Sequence, residues 1–161
     1  MGILKLKATM AATLAAIIGL STLFFTIILS LIDAFSIYTL ALFVVFFNVL
    51  QWLFAPHIID ALYRVRRVSR SEEPELYEIV ERLSRKSGIK PPQLMIANIP
   101  LPNAFAYGSP LTGNRVAVTT GLLNTLDKDE IEAVIGHELG HLKHRDVQVM
   151  MFVSILPALL Y

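Results

Sequence analysis

Between Ala8 and Ala55 the chain carries a single charge, Asp33, and this constrains its fold more than any other feature. Ala8–Ile32 is an uncharged run of 25 residues, and Ala34–Ala55 is a second of 22. As a helix the first would be about 37 Å long, enough to cross a hydrocarbon core of roughly 30 Å with some tilt. The simplest arrangement is a helical hairpin with a tight turn near Ile32–Ser36. A cleavable leader is a rival reading of the first run, but the apolar stretch of a leader is shorter, about 7–15 residues. A hairpin buried in a soluble protein is another, but the two runs adjoin with almost no polar face. Lys5 and Lys7 precede the first run, Arg64, Arg66, Arg67 and Arg70 follow the second, and the turn between them has no positive charge. The positive-inside rule then puts the N-terminus and everything after residue 60 on the cytoplasmic side.

The remaining charge is concentrated. Of 27 Lys, Arg, Asp and Glu residues, 24 lie between Asp60 and Asp146. The chain as a whole is 55% hydrophobic and 17% charged, with a mean hydropathy of +0.60. A net charge of +1 with no basic stripe argues against a nucleic-acid partner. There is no cysteine, so any transition metal must be held by histidine and carboxylate.

The polar middle reads as a small α+β unit. Glu72–Lys86 has helical periodicity, with Leu76, Ile79, Val80 and Leu83 on one face, Pro74 in the first turn and Gly88 at the stop. Gln93–Ala97 reads as a strand after the break at Lys90-Pro91-Pro92. Asn103–Tyr107 reads as a second strand and Arg115–Thr119 as a third, separated by turn residues from Gly108 to Asn114.

A helix of about 127–146 follows, opened by Asp127 and Glu130 at capping-box spacing. Within it stands His137-Glu138-Leu139-Gly140-His141. Residues four apart lie one turn apart on one face, so both imidazoles can point at one ion. Zinc takes nitrogen ligands at about 2.0–2.1 Å, and the pair supplies two of them. Glu138 is rotated by about 100° from His137, which suits it to take a proton from an activated water rather than to ligate. Metal binding needs neutral imidazoles, so activity should fall in acid. His144 shares the face, but it lies about 10.5 Å from His137 along the axis, too far for one tetrahedral ion, and reads as solvent-facing or peripheral. Arg145 and Asp146 read as interfacial charges, and Val147–Tyr161 as the start of a third membrane segment. With His141 about 9 Å before that segment, the metal should sit just above the bilayer and the substrates should be membrane-associated.

The run His137–Asp146, preceded by two apolar helices and by Pro102-Asn103-Ala104-Phe105-Ala106, resembles the HtpX family of membrane metallopeptidases, kin to the CAAX prenyl endopeptidases. The resemblance spans essentially the whole chain. It implies an α-helical multi-pass membrane protein with a small α+β, zincin-like cytoplasmic domain. It further implies one Zn2+ per subunit and cleavage of peptide bonds in damaged or misassembled membrane proteins. His137 and His141 would be metal ligands, with a glutamate on a later helix as the third, and Glu138 would be the catalytic base. Asn103, Ala104, Phe105 and Ala106 are similar to the edge strand that pairs with substrate backbone. The same stretch also reads as an ordinary strand with Phe105 in the core.

The domain layout that follows is a hairpin over 1–60, the first part of a metallopeptidase domain over 61–146, and a third membrane segment from 147. A hydrolytic zinc site needs three protein ligands and an open position. The 20 residues after His141 contain no Glu or Cys, and their only His is His144. The third ligand is therefore expected beyond Tyr161, in a longer protein. The alternative is a short non-catalytic membrane module that interacts or regulates.

Overall fold

The computed structural model describes residues 3–144. The expectations for Arg145, Asp146 and the third apolar segment lie outside the described residues. The described residues fall into two units, divided between Leu53 and Phe54.

In the first unit, α1 (Ile3–Leu31) and the beginning of α2 (Ile37–Leu62) form the hairpin. Asp33 makes the turn in a left-handed conformation, φ 53°, which short polar side chains tolerate better than most. The helices meet through small and aromatic residues: Asn48 donates its amide to Ser21 Oγ at 3.0 Å, and Phe25 packs on Phe43 and Phe47 at 5.6 and 5.4 Å. Away from that seam, Leu20, Leu23, Phe24, Leu42 and Phe46 are exposed. Among the described residues one helix, α2, is long and apolar enough to cross a membrane, and the apolar part of α1 is the shorter Ala15–Leu31.

The second unit begins with the last turns of α2 and is built on a four-stranded mixed sheet. Its strands are β1 (Val65–Arg67), β2 (Gln93–Ala97), β3 (Ala104–Ser109) and β4 (Gly113–Thr119), in spatial order β1-β2-β4-β3. β2 and β4 run parallel, and both outer pairings are antiparallel. Among the described residues β3 is thus an edge strand, paired with β4 through a tight hairpin. Gly108 is required at its neck: a Cβ there would lie 2.3 Å from the Gly113 carbonyl oxygen.

α3 (Pro74–Ser87) and α5 (Lys128–His144) cover the sheet, with the short α4 (Thr120–Thr125) between β4 and α5. α3 starts on Pro74 and stops at Gly88, whose φ of 70° closes the helix as a left-handed cap. It buries Leu76, Ile79 and Val80, while α5 buries Ile131, Ile135, Leu139 and Leu142. That spacing is one helical stripe, and it fixes which residues α5 turns away from the core. Ala55 and Ile59, near the end of α2, belong to the same core. The ion pairs joining the surfaces, such as Arg82–Glu132 at 2.6 Å, are solvated and contribute little.

Candidate active site

α5 owes its start to a reciprocal cap. Glu130 N–H donates to Asp127 Oδ1 and Asp127 N–H donates to Glu130 Oε2, each at 3.0 Å, which satisfies two otherwise orphaned donors. With the buried stripe at Ile135, Leu139 and Leu142, the helix presents His137 exposed and His141 and Glu138 half-buried.

The two imidazoles converge. His137 Nε2 and His141 Nε2 lie 3.3 Å apart, with the rings perpendicular at 88° and their centroids 4.8 Å apart. Two nitrogens bound to one tetrahedral zinc at about 2.0–2.1 Å would be separated by about 3.3–3.4 Å, so the pair fits a common ion. The same separation also admits a hydrogen bond when one ring carries the proton on Nε2. Among the described residues no group of three or more His, Cys, Asp or Glu stands close enough to hold a metal.

Glu138 turns toward the sheet. Its Oε2 accepts a hydrogen bond from the Ala106 N–H of β3 at 3.2 Å. Burial pushes its carboxyl above the ordinary carboxylate range, while His141, His137 and the Ala106 N–H pull it back.

The stretch Asn103–Ala106 is divided by this geometry. Asn103 is exposed and precedes the strand, held by Thr119: its N–H donates to Thr119 Oγ1 at 2.9 Å and its carbonyl accepts from Thr119 N–H at 3.0 Å. Ala104 and Ala106 are buried, and α5 packs against β3. Alternation sends Phe105 to the other face, where its half-buried ring packs between Tyr63 and Tyr107 at 5.6 and 5.5 Å. The structure therefore gathers His137, His141, Glu138 and the Ala106 backbone, and leaves the Asn103 and Phe105 side chains elsewhere.

Three polar residues in this neighbourhood drew no attention in the sequence. Tyr107 donates its hydroxyl to Asp60 Oδ1 at 2.6 Å, and Arg115 donates to Asp60 Oδ2 at 2.5 Å. The one signal available was a carboxylate in the last turn of a long apolar helix.

Comparison with known proteins agrees with this architecture. A family model described as Peptidase family M48 matches residues 70–161, more than half of the chain. Protease HtpX homolog 2 of Saccharolobus solfataricus is 42% identical over 99% of this chain and 51% of its own length. The Protease HtpX homolog of Picrophilus torridus is 43% identical over 98% of the chain and 53% of its own length, and that of Aeropyrum pernix is 52% identical over 77% and 38%. The chain thus spans about half the length, or less, of these curated relatives. The crystal structure of S. mikatae Ste24p superposes with a TM-score of 0.60 at 24% identity, over 96% of this chain and 36% of that one, a likeness of fold. With a matching family model over three of its four strands and its motif helix, and HtpX proteases as its relatives, the chain belongs to peptidase family M48.

Proposed function

We propose that this chain supplies the His-Glu-x-x-His part of the active site of a membrane-bound zinc endopeptidase, held at the cytoplasmic surface by the α1–α2 hairpin. The observation that carries the reading is a pair of imidazole nitrogens 3.3 Å apart on α5, with the carboxylate between them in sequence bonded to the backbone of an edge strand. His137 and His141, as neutral imidazoles, would hold the metal, and a third protein ligand would complete the set. When bound, a zinc ion supplies Lewis acidity that acidifies a water and polarises a carbonyl.

Glu138 accepts the proton of the attacking water on its carboxylate and passes it to the departing amide nitrogen. Its partial burial, which disfavours the charged form, makes it a stronger base than an exposed glutamate. The outer edge of β3 aligns the substrate: an extended peptide adds as a further strand, bonding to backbone groups beside Ala104 and Ala106, so recognition depends little on side-chain identity. Substrates would be membrane proteins or peptides brought to the bilayer, consistent with a role in membrane-protein quality control.

The test is Glu138→Gln in the full-length protein. Zinc content should be unchanged and peptide cleavage should fall by about 10^2–10^4-fold. Cleavage persisting at the original rate would exclude Glu138 as the base.

A further inference from the structure

Asp60 sits in the last turn of α2, and both oxygens of its carboxylate are engaged by one cross-strand pair. Tyr107 of β3 and Arg115 of β4 are direct partners in the ladder. The Tyr107 phenol donates to Oδ1 at 2.6 Å, the Arg115 guanidinium donates to Oδ2 at 2.5 Å, and the guanidinium lies 5.8 Å from the centre of the Tyr107 ring. Tyr107 is fully buried, the side chains of Arg115 and Asp60 are 13% and 23% exposed, and Arg115 Nε is buried without a hydrogen-bond partner. Three apolar side chains would fill this space without the cost of removing charge from water. What they would not do is fix position, because apolar contacts are non-directional whereas a bidentate carboxylate holds its partners in one place. Burial and the Asp60 carboxylate also hold the Tyr107 hydroxyl far above its ordinary range, so it remains a donor.

The position being fixed is next to the candidate chemistry. Ala106, adjacent to Tyr107, is the residue whose N–H reaches Glu138. A slip of one residue along the strand, about 3.3 Å, would exchange the two faces of β3, and a misplacement of about 1 Å at a reacting centre can cost on the order of a hundredfold in rate.

We propose that Asp60 is a positioning residue for the substrate strand: its carboxylate clamps the Tyr107–Arg115 pair, and through it the edge strand whose Ala106 N–H meets Glu138. The clamp lies on the face of β3 opposite the Ala104 and Ala106 side chains. It also ties the substrate edge to the helix that carries the second apolar run. This inference rests on the reading of Glu138 as base and of β3 as the substrate edge.

The experiment uses the full-length protein in detergent or liposomes, with Tyr107→Phe, which keeps the ring and removes the hydroxyl, and Asp60→Asn, which keeps an acceptor and removes the charge. Each should raise KM for a peptide long enough to lie along β3 by about tenfold or more, the effect of losing one hydrogen bond to a charged group, with zinc content unchanged. Amide hydrogen exchange should quicken over residues 104–109 and stay as it was over 74–87 of α3. Unchanged KM with unchanged exchange in both variants would overturn the proposal, as would exchange that rises equally in the two segments, which marks general loosening. Should Asp60→Asn fail to fold, Tyr107→Phe decides alone. Cleavage surviving in Glu138→Gln would instead defeat the protease reading, and the exchange measurement would still decide whether the clamp exists.

Discussion

Thr119 shows how much one hydroxyl can organise. It is fully buried at the junction of β4 and α4. Its oxygen accepts from Asn103 N–H at 2.9 Å and from Leu122 N–H at 3.1 Å, and its proton faces the carbonyls of Leu101 at 2.8 Å and Asn103 at 3.0 Å. One side chain therefore caps a helix and anchors the chain entering the edge strand. Thr119→Val keeps the shape and strands these buried groups, so it should cost about 1–3 kcal/mol in a denaturant titration of the full-length protein. A loss within experimental error would show that the network rearranges around the methyl group. Nothing in the sequence marks the long-range roles of Thr119, Asp60 or Tyr107, because Asn103 is 16 residues from Thr119, and Tyr107 and Arg115 are 47 and 55 from Asp60. His137, Glu138 and His141 were legible for the opposite reason: their relation is set within one turn of a single helix, where spacing alone fixes geometry.

At the level of elements the same division holds. The reciprocal cap of α5, the Pro74 start and Gly88 stop of α3, and β2 are local patterns, and the residues announce them. β1 has no such local pattern: Val65-Arg66-Arg67 reads as charge beside a membrane and becomes a strand through its pairing with Met95–Ala97. α4 is six residues long and opens on Thr120-Gly121, which resembles a turn. That glycine is required by a close approach: a Cβ on Gly121 would lie 2.0 Å from the Pro100 carbonyl oxygen. Gly121 N–H and Thr120 Oγ1 both donate to Ile99 O at 2.9 Å, which pins the loop leading into β3. Gly121→Ala should therefore displace that loop and lower stability by about 1–3 kcal/mol, readable as a fall in Tm together with faster hydrogen exchange at residues 99–103. Unchanged exchange there would mean that the strain is relieved elsewhere.

For the whole molecule, the unequal distribution of charge along the chain separates into two units with different surfaces. The first exposes leucine and phenylalanine over its outer faces, and the second carries the ion pairs and the sheet. A protein anchored by the hairpin should stay in the membrane fraction through washes with high salt and alkaline carbonate and be released by detergent; recovery in the carbonate supernatant would rule out the anchoring proposed above. The bond between Glu138 and the Ala106 N–H carries a further consequence for what such an enzyme would choose to cut. A visiting backbone that takes over this donor exchanges one hydrogen bond for another and gains almost nothing at that point. Affinity must then accumulate from pairings further along β3, which only a stretch of several residues, extended and with its own amides unengaged, can provide. Well-folded proteins keep such stretches paired internally, whereas a chain that has lost its tertiary structure displays them, so discrimination between sound and failed proteins would follow from the arithmetic of exchange without any motif being read.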